Sequence, residues 1–169
     1  MSDTIWIRST VDPETRKAAC LVTWGPLETI LAADVVLATA RDLVAAAAAA
    51  ETDIALIRSL REDLKADDTI VGMMLGAVRR RRPVPTASVA LRIEAVAGAK
   101  TGKPYVHIAR GSQKAPLDPD DARTMADHWT QAAMAAHNDV RLRYVLGDFH
   151  QLTPADTNEI FLRLQKAQR

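Results

Sequence analysis

The chain of 169 residues is long enough for one compact domain, or two closely packed halves, with a sizeable core. Its formal net charge of +1 gives no overall electrostatic case for nucleic acid or an anionic membrane as partner. A single cysteine, Cys20, excludes an intramolecular disulfide and a cysteine-built zinc site, and it fits a reducing cytoplasm.

Residues 4–10 (TIWIRST) alternate, with Ile5 and Ile7 on one face and Trp6 and Arg8 on the other, as in a half-buried strand. Residues 1–10 (MSDTIWIRST) lack the basic segment and apolar run of a secretory signal, so none is expected there. Residues 11–15 (VDPET) carry turn chemistry, and residues 18–24 (AACLVTW) return as a second strand. Gly25 and Pro26 break it, and residues 27–31 (LETIL) read either as a third strand or as the opening of a helix.

From about Ala33 to about Lys65 no glycine or proline interrupts a run of good helix formers. It is either one helix about 45 Å long or two helices meeting at Glu51-Thr52-Asp53, whose side chains cap well. Glu28, Asp34, Arg41 and Asp42 break up the weakly polar residues 27–50, so no membrane span is expected there. Asp67 or Asp68 opens a short second helix bearing Ile70, Val71, Met73, Met74, Leu75 and Val78, with the two methionines expected in its core. Four arginines and then Pro83 and Pro85 end it.

The second half repeats this plan. Residues 88–97 (SVALRIEAVA) alternate, placing Val89, Leu91 and Ile93 together; residues 98–103 (GAKTGK) turn, and residues 104–110 (PYVHIAR) return. Asp118 caps and Pro119 opens a helix that runs to about Leu146, where Gly147 can end it. Residues 153–156 (TPAD) start the last helix, which carries Ile160, Phe161 and Leu164.

The halves also match residue by residue. At a shift of 86, Ala46, Ala47, Ala49 and Ala50 fall on Ala132, Ala133, Ala135 and Ala136. Asp53 falls on Asp139, Ile54 on Val140, Leu56 on Leu142, Leu60 on Leu146 and Gly25 on Gly111. In the last helix a shift of 88 places Leu64, Asp68 and Thr69 on Leu152, Asp156 and Thr157. The expected fold class is therefore α+β. It is built from an internally duplicated unit: a β-hairpin or three-strand meander, a long alanine-rich helix and a short helix, over residues 1–84 and 85–169. The two repeats are expected to pack as one compact domain about a pseudo-two-fold axis. Their hairpins would join edges into one antiparallel sheet covered on one face by the long helices. The alanines of residues 45–50 and 132–136 are expected in helix–helix contacts. Because alanine buries little area, Trp6, Trp24, Trp129, Tyr105, Tyr144, Phe149 and Phe161 are the expected large anchors.

Few residues carry chemistry. Arg79, Arg80, Arg81 and Arg82 form the one charge run, which suits either phosphate contact or a solvated, dipole-matched helix end. Of the histidines, His128 and His137 are nine apart on one helix, His107 lies in a strand, and only tertiary chance would bring His137 to Asp148 and His150. Asp53 and Asp139 are matched acids that would cap a helix, work as a pair, or pair with Arg58 and Arg143. Residues 98–103 contain Thr-Gly-Lys but not phosphate-loop spacing. Mid-strand Cys20 reads as buried and inert. No catalytic constellation, cofactor or metal ligand set is indicated.

The helix start at residues 117–123 (LDPDDAR) and the alanine-rich helix ending in VRLRYVL at residues 140–146 resemble small proteins of actinobacteria and their mobile elements or phages. That resemblance implies no activity. The expectation is a non-enzymatic interaction or accessory module, of a mobile element or phage, binding a protein partner as a monomer or homodimer. The alternative is a nucleic-acid-binding protein using Arg79, Arg80, Arg81 and Arg82 with Arg8, Arg92 or Arg110 from the strands.

Overall fold

The structure is a computed structural model that describes residues 5–83, 90–98, 101–147 and 151–167, without the side chains of residues 165 and 167. Strands β1 (Ile5–Val11), β2 (Ala18–Trp24) and β3 (Leu27–Ala32) lead into helices α1 (Ala33–Glu62) and α2 (Asp68–Arg80). Strands β4 (Arg92–Ala97), β5 (Pro104–Arg110) and β6 (Gln113–Leu117) lead into α3 (Pro119–Gly147) and α4 (Pro154–Ala167). The class is α+β. Each half is an antiparallel three-strand meander followed by a long and a short helix, consistent with duplication.

The shift of 86 holds through the whole plan. Gly25 and Gly111 both have φ of 56°, the left-handed conformation that a tight strand reversal needs and glycine adopts without steric cost. In the first hairpin Asp12 N donates to Lys17 O and Arg16 N to Asp12 O; in the second, Gly98 N donates to Lys103 O and Gly102 N to Gly98 O. Arg16 and Gly102 take φ of 59° and 63° at the same place in the turn. The short helices obey the same shift, which corrects the expected 88. Asp67 caps α2 by accepting from Ile70 N at 2.9 Å, and Thr153 Oγ1 accepts from Asp156 N at 3.2 Å at the start of α4.

The strands settle one open alternative and change one expectation. Residues 27–32 do form a third strand, and the second half has its counterpart in β6, which contains Pro116. Proline is tolerated there because β6 is an edge strand, paired on one side to β5. The strands also form two separate three-stranded sheets, β1-β2-β3 and β4-β5-β6, and not one merged sheet.

The alanine-rich run is one unbroken 30-residue helix. Its buried residues Val36, Ala40, Leu43, Ala47, Ala50 and Ile54 follow three-and-four spacing, which keeps one stripe of a helix facing inward. In α3 the buried stripe is Ala122, Ala126, Trp129, Ala133 and Ala136, position for position 86 residues later. Lys65, at φ 52°, ends α1 without a glycine, and Ala66 N returns to Leu60 O at 2.9 Å. Among the described residues no helix is long and apolar enough to cross a membrane.

Chain contacts divide the protein into two compact units whose borders fall inside α1 and α3: one comprises residues 1–36 and 130–169, the other residues 37–129. The first holds β1–β3, most of α3 and α4. Its core includes Cys20, Val22, Trp24, Ala133 and Phe161. There Ser9 Oγ of β1 donates to Asp139 Oδ2 of α3 at 3.0 Å, which fixes the face of the sheet that meets helix. His137 Nε2 lies 3.5 Å from Asp34 Oδ1. The second unit holds most of α1, α2, β4–β6 and the start of α3, with Leu43, Val106, Ile108 and Trp129 fully buried. Arg123 of α3 reaches both carboxylate oxygens of Glu51 of α1, at 3.0 and 2.5 Å. That bidentate grip holds the Glu51 carboxyl below the usual carboxylate range.

Of the expected anchors, Trp24, Trp129 and Phe161 are buried, but Trp6 is 70% and Tyr144 76% exposed. Trp6 lies on the outer side of an alternating strand, and Tyr144 lies in the last turn of α3, off its buried stripe. Phe149 lies outside the described residues.

Candidate functional site

The second unit contains the arginine run. Helix α2 is short, and it docks with one stripe, Val71, Leu75 and Val78, of which Val71 is buried. That orientation turns its C-terminal end over the middle of α1. Arg79 Nε donates to Asp53 Oδ2 at 2.8 Å, and Arg82 Nη2 donates to Asp53 Oδ1. The Asp53 side chain is fully buried, while Arg79 and Arg82 keep 43% and 24% of theirs exposed. A buried carboxylate is costly without charge-assisted partners, and here both oxygens have one. Half of the run is thus committed to holding α2 on α1. Arg80 and Arg81 are exposed, and no ion pair to either is formed among the described residues. Asp53 therefore pairs with Arg79 and Arg82 and not with Arg58, whose Nη2 donates to Gly102 O at 3.3 Å.

The outward side of the same helix is apolar. Ile70, Met73 and Met74 are 43%, 63% and 48% exposed, so the methionines are not core. With Ala77 they follow i, i+3, i+4, i+7 spacing, which gathers them on one face. The corresponding positions of α4 are Asp156, Glu159, Ile160 and Arg163, with Arg163 paired to Glu159 at 2.5 Å. The same position in the plan thus carries an ordinary solvated face in one half and an exposed apolar face in the other. Gly72 adds to the contrast: among the described residues a Cβ there would meet nothing within 4 Å, so none of them requires glycine. Mid-helix glycine costs roughly 1 kcal/mol relative to alanine.

The remaining candidates resolve into structure. Asp139, the counterpart of Asp53, accepts from Ser9; Arg143 instead lies 4.2 Å over the Phe161 ring and bonds Asn158 Oδ1 at 2.9 Å. Gln165 and Gln168 stand where Arg79 and Arg82 stand in the first half, so the second half lacks that guanidinium pair. His107 is half-buried on β5, His128 is exposed, and Asp148 and His150 lie outside the described residues. Among the described residues no group of three or more His, Cys, Asp or Glu could hold a metal. Burial pushes the Cys20 thiol up to about 12. The Thr-Gly-Lys segment closes a hairpin with the same two backbone bonds as residues 12–17. Of the strand arginines, Arg8 lies in the other unit, Arg92 is paired to Glu94, and Arg110 closes β5 opposite Gln113.

Comparison with protein-family models, with curated proteins and with solved structures finds no match. The chemistry of the site alone carries its reading. The signal in the sequence was the contrast between α2 and α4, visible once the two are aligned at 86 and not at 88.

Proposed function

We propose that this protein is a non-enzymatic interaction module that binds a protein partner through the outer face of α2. The observation that carries this reading is the exposure of Ile70, Met73 and Met74 at positions where α4 carries Asp156, Glu159 and Ile160. Methionine suits such a surface because its unbranched, polarisable side chain adapts to a partner's shape. Arg80 and Arg81 lie one turn beyond Ala77 at the same end of the face, so a partner presenting an apolar stripe that ends in acidic groups matches it in both respects. The reading carries a cytoplasmic setting, to which the single buried Cys20 is suited.

The experiment compares proteins cross-linked to the wild type with those cross-linked to Met73→Glu/Met74→Glu. The positions are exposed, so folding survives the change. The expected result is a discrete partner captured by the wild type and lost from the variant; equal capture by both would exclude this face.

Exposed, unpaired Arg80 and Arg81 favour nucleic acid as the second reading. With two phosphates neutralised, the logarithm of affinity for duplex DNA would fall with that of salt at a slope of about −1.8. Arg80→Ser/Arg81→Ser would abolish that dependence, and no binding at low salt would remove the reading.

A further inference from the structure

We infer that the outer face of the β1-β2-β3 sheet is a self-complementary surface that binds a second copy of this chain. Side chains alternate across a sheet, and the Ser9–Asp139 bond marks the inner side. Trp6, Arg8, Leu21, Thr23, Glu28 and Ile30 therefore make up the open part of the outer side, which closes at buried Ala19. The register sets them in two rows, Trp6–Thr23–Glu28 and Arg8–Leu21–Ile30. Trp6 is 70% and Ile30 45% exposed, Arg8 and Glu28 are exposed, and Leu21 is half-buried.

This arrangement has a specific geometry. Trp6 and Ile30 occupy opposite corners of the face, with Leu21 between them on the central strand. Arg8 and Glu28 occupy the other two corners, one positive and one negative. In a two-fold interface each residue that meets a partner residue is met by it in return. A dyad running along the Trp6–Ile30 diagonal places Trp6 and Ile30 against their own counterparts, with Leu21 beside the axis. The same operation sets Arg8 of each copy against Glu28 of the other, so the charges pair twice.

The β4-β5-β6 sheet serves as an internal control, since its positions correspond at a shift of 86. Arg92, His107 and Pro116 stand where Trp6, Leu21 and Ile30 stand. The same dyad there would press Arg92 against Arg92, and Arg92 is already paired to Glu94 at 2.5 Å. One sheet face of the molecule is suited to self-association and its counterpart is not. Three strands about 4.8 Å apart, with about four residues each in the open part, present roughly 200 Å². A standard interface buries about 800 Å² per partner, so the association is weak and concentration-dependent.

Sedimentation equilibrium of the full chain from low micromolar to near-millimolar concentration tests this. The expected result is a weight-average mass rising from monomer towards dimer, and remaining monomeric in Trp6→Glu. Arg8→Glu and Glu28→Arg each act twice per dimer and raise Kd about tenfold or more, whereas the double exchange restores it. A monomer at every concentration overturns the proposal, as does a dimer that survives Trp6→Glu, or a double exchange no better than either single change. Met73→Glu/Met74→Glu leaves this equilibrium unchanged; a dimer lost in that variant would place self-association on α2 instead.

Discussion

Arg79 donates through Nε to Asp53 at 2.8 Å, and the carboxylate that receives it is fully buried although the arginine is 43% exposed. That asymmetry decides which partner matters more. If Asp53 becomes Asn, the two arginines can turn to water and the cost is that of lost hydrogen bonds, about 1–3 kcal/mol. If Arg79 and Arg82 both become Gln, a buried charge loses its cations and the cost is about 3–5 kcal/mol. Urea midpoints of the two variants should fall in that order. The reverse order would mean that the arginines, not the aspartate, carry the desolvation. Arg80→Ser/Arg81→Ser should stay within about 0.5 kcal/mol of wild type.

The paired turns offer a second measurement. Arg16 and Gly102 occupy one turn position with φ of 59° and 63°, where a residue with a Cβ is strained. Arg16→Gly should raise stability by about 1 kcal/mol, and Gly102→Ala should lower it by about 1 kcal/mol. Among the described residues a Cβ at Gly102 meets nothing within 4 Å, so the second change tests the backbone conformation. Thermal melts giving the same sign for both would contradict it.

Overpacking tests the alanine stripes. Ala47 and Ala133 are fully buried, and replacing either with Leu should cost about 1–3 kcal/mol. Ala48, exposed one position along α1, should accept Leu with little change. Chemical denaturation of the three variants checks the placement of the stripe.

Cys20 gives a pH signature. Its folded pKa is raised by burial from 9.0 to about 12, so the folded state keeps the thiol protonated after the unfolded chain has begun to lose it. The corresponding stabilisation is fully present below pH 9 and is lost as pH rises towards 12. The stability difference between wild type and Cys20→Ala should be flat to about pH 9 and then shrink. Native protein should also resist thiol reagents at pH 8, and rapid labelling would refute the burial.

Much of the fold was legible because each local signal had a local cause. Gly25 and Gly111 mark the strand reversals that need a left-handed residue, whereas Trp6 was expected as an anchor on its size although alternation in residues 4–10 sets it on the face opposite Ile5 and Ile7. The third strand in the second half was hidden by Pro116, which argues against a strand anywhere except an edge. Alignment of the last helix by shared Asp-Thr misled because caps are interchangeable: Asp67 and Thr153 do the same work with different side chains. The Asp53 site was out of reach, since its arginines come from 26 and 29 positions away and only the docking of α2 brings them in.

A cut introduced within residues 84–89 separates the sequence repeats but neither compact unit. Ser9–Asp139 and Glu51–Arg123 each join residues from opposite sides of it. The two fragments should elute together under native conditions and part only in denaturant; separation in native buffer would contradict the interleaved arrangement.

This interleaving also bears on the order in which the protein folds as it is made. The unit of residues 37–129 is a single stretch, complete when Trp129 leaves the ribosome. The strands that precede it wait for residues 130–169, because Ser9 meets Asp139 across 130 positions. Contacts that span most of a chain slow folding and leave early segments exposed. During synthesis the outer and inner faces of the first sheet are both uncovered until then, and its strands find their helix only after the intervening unit is complete.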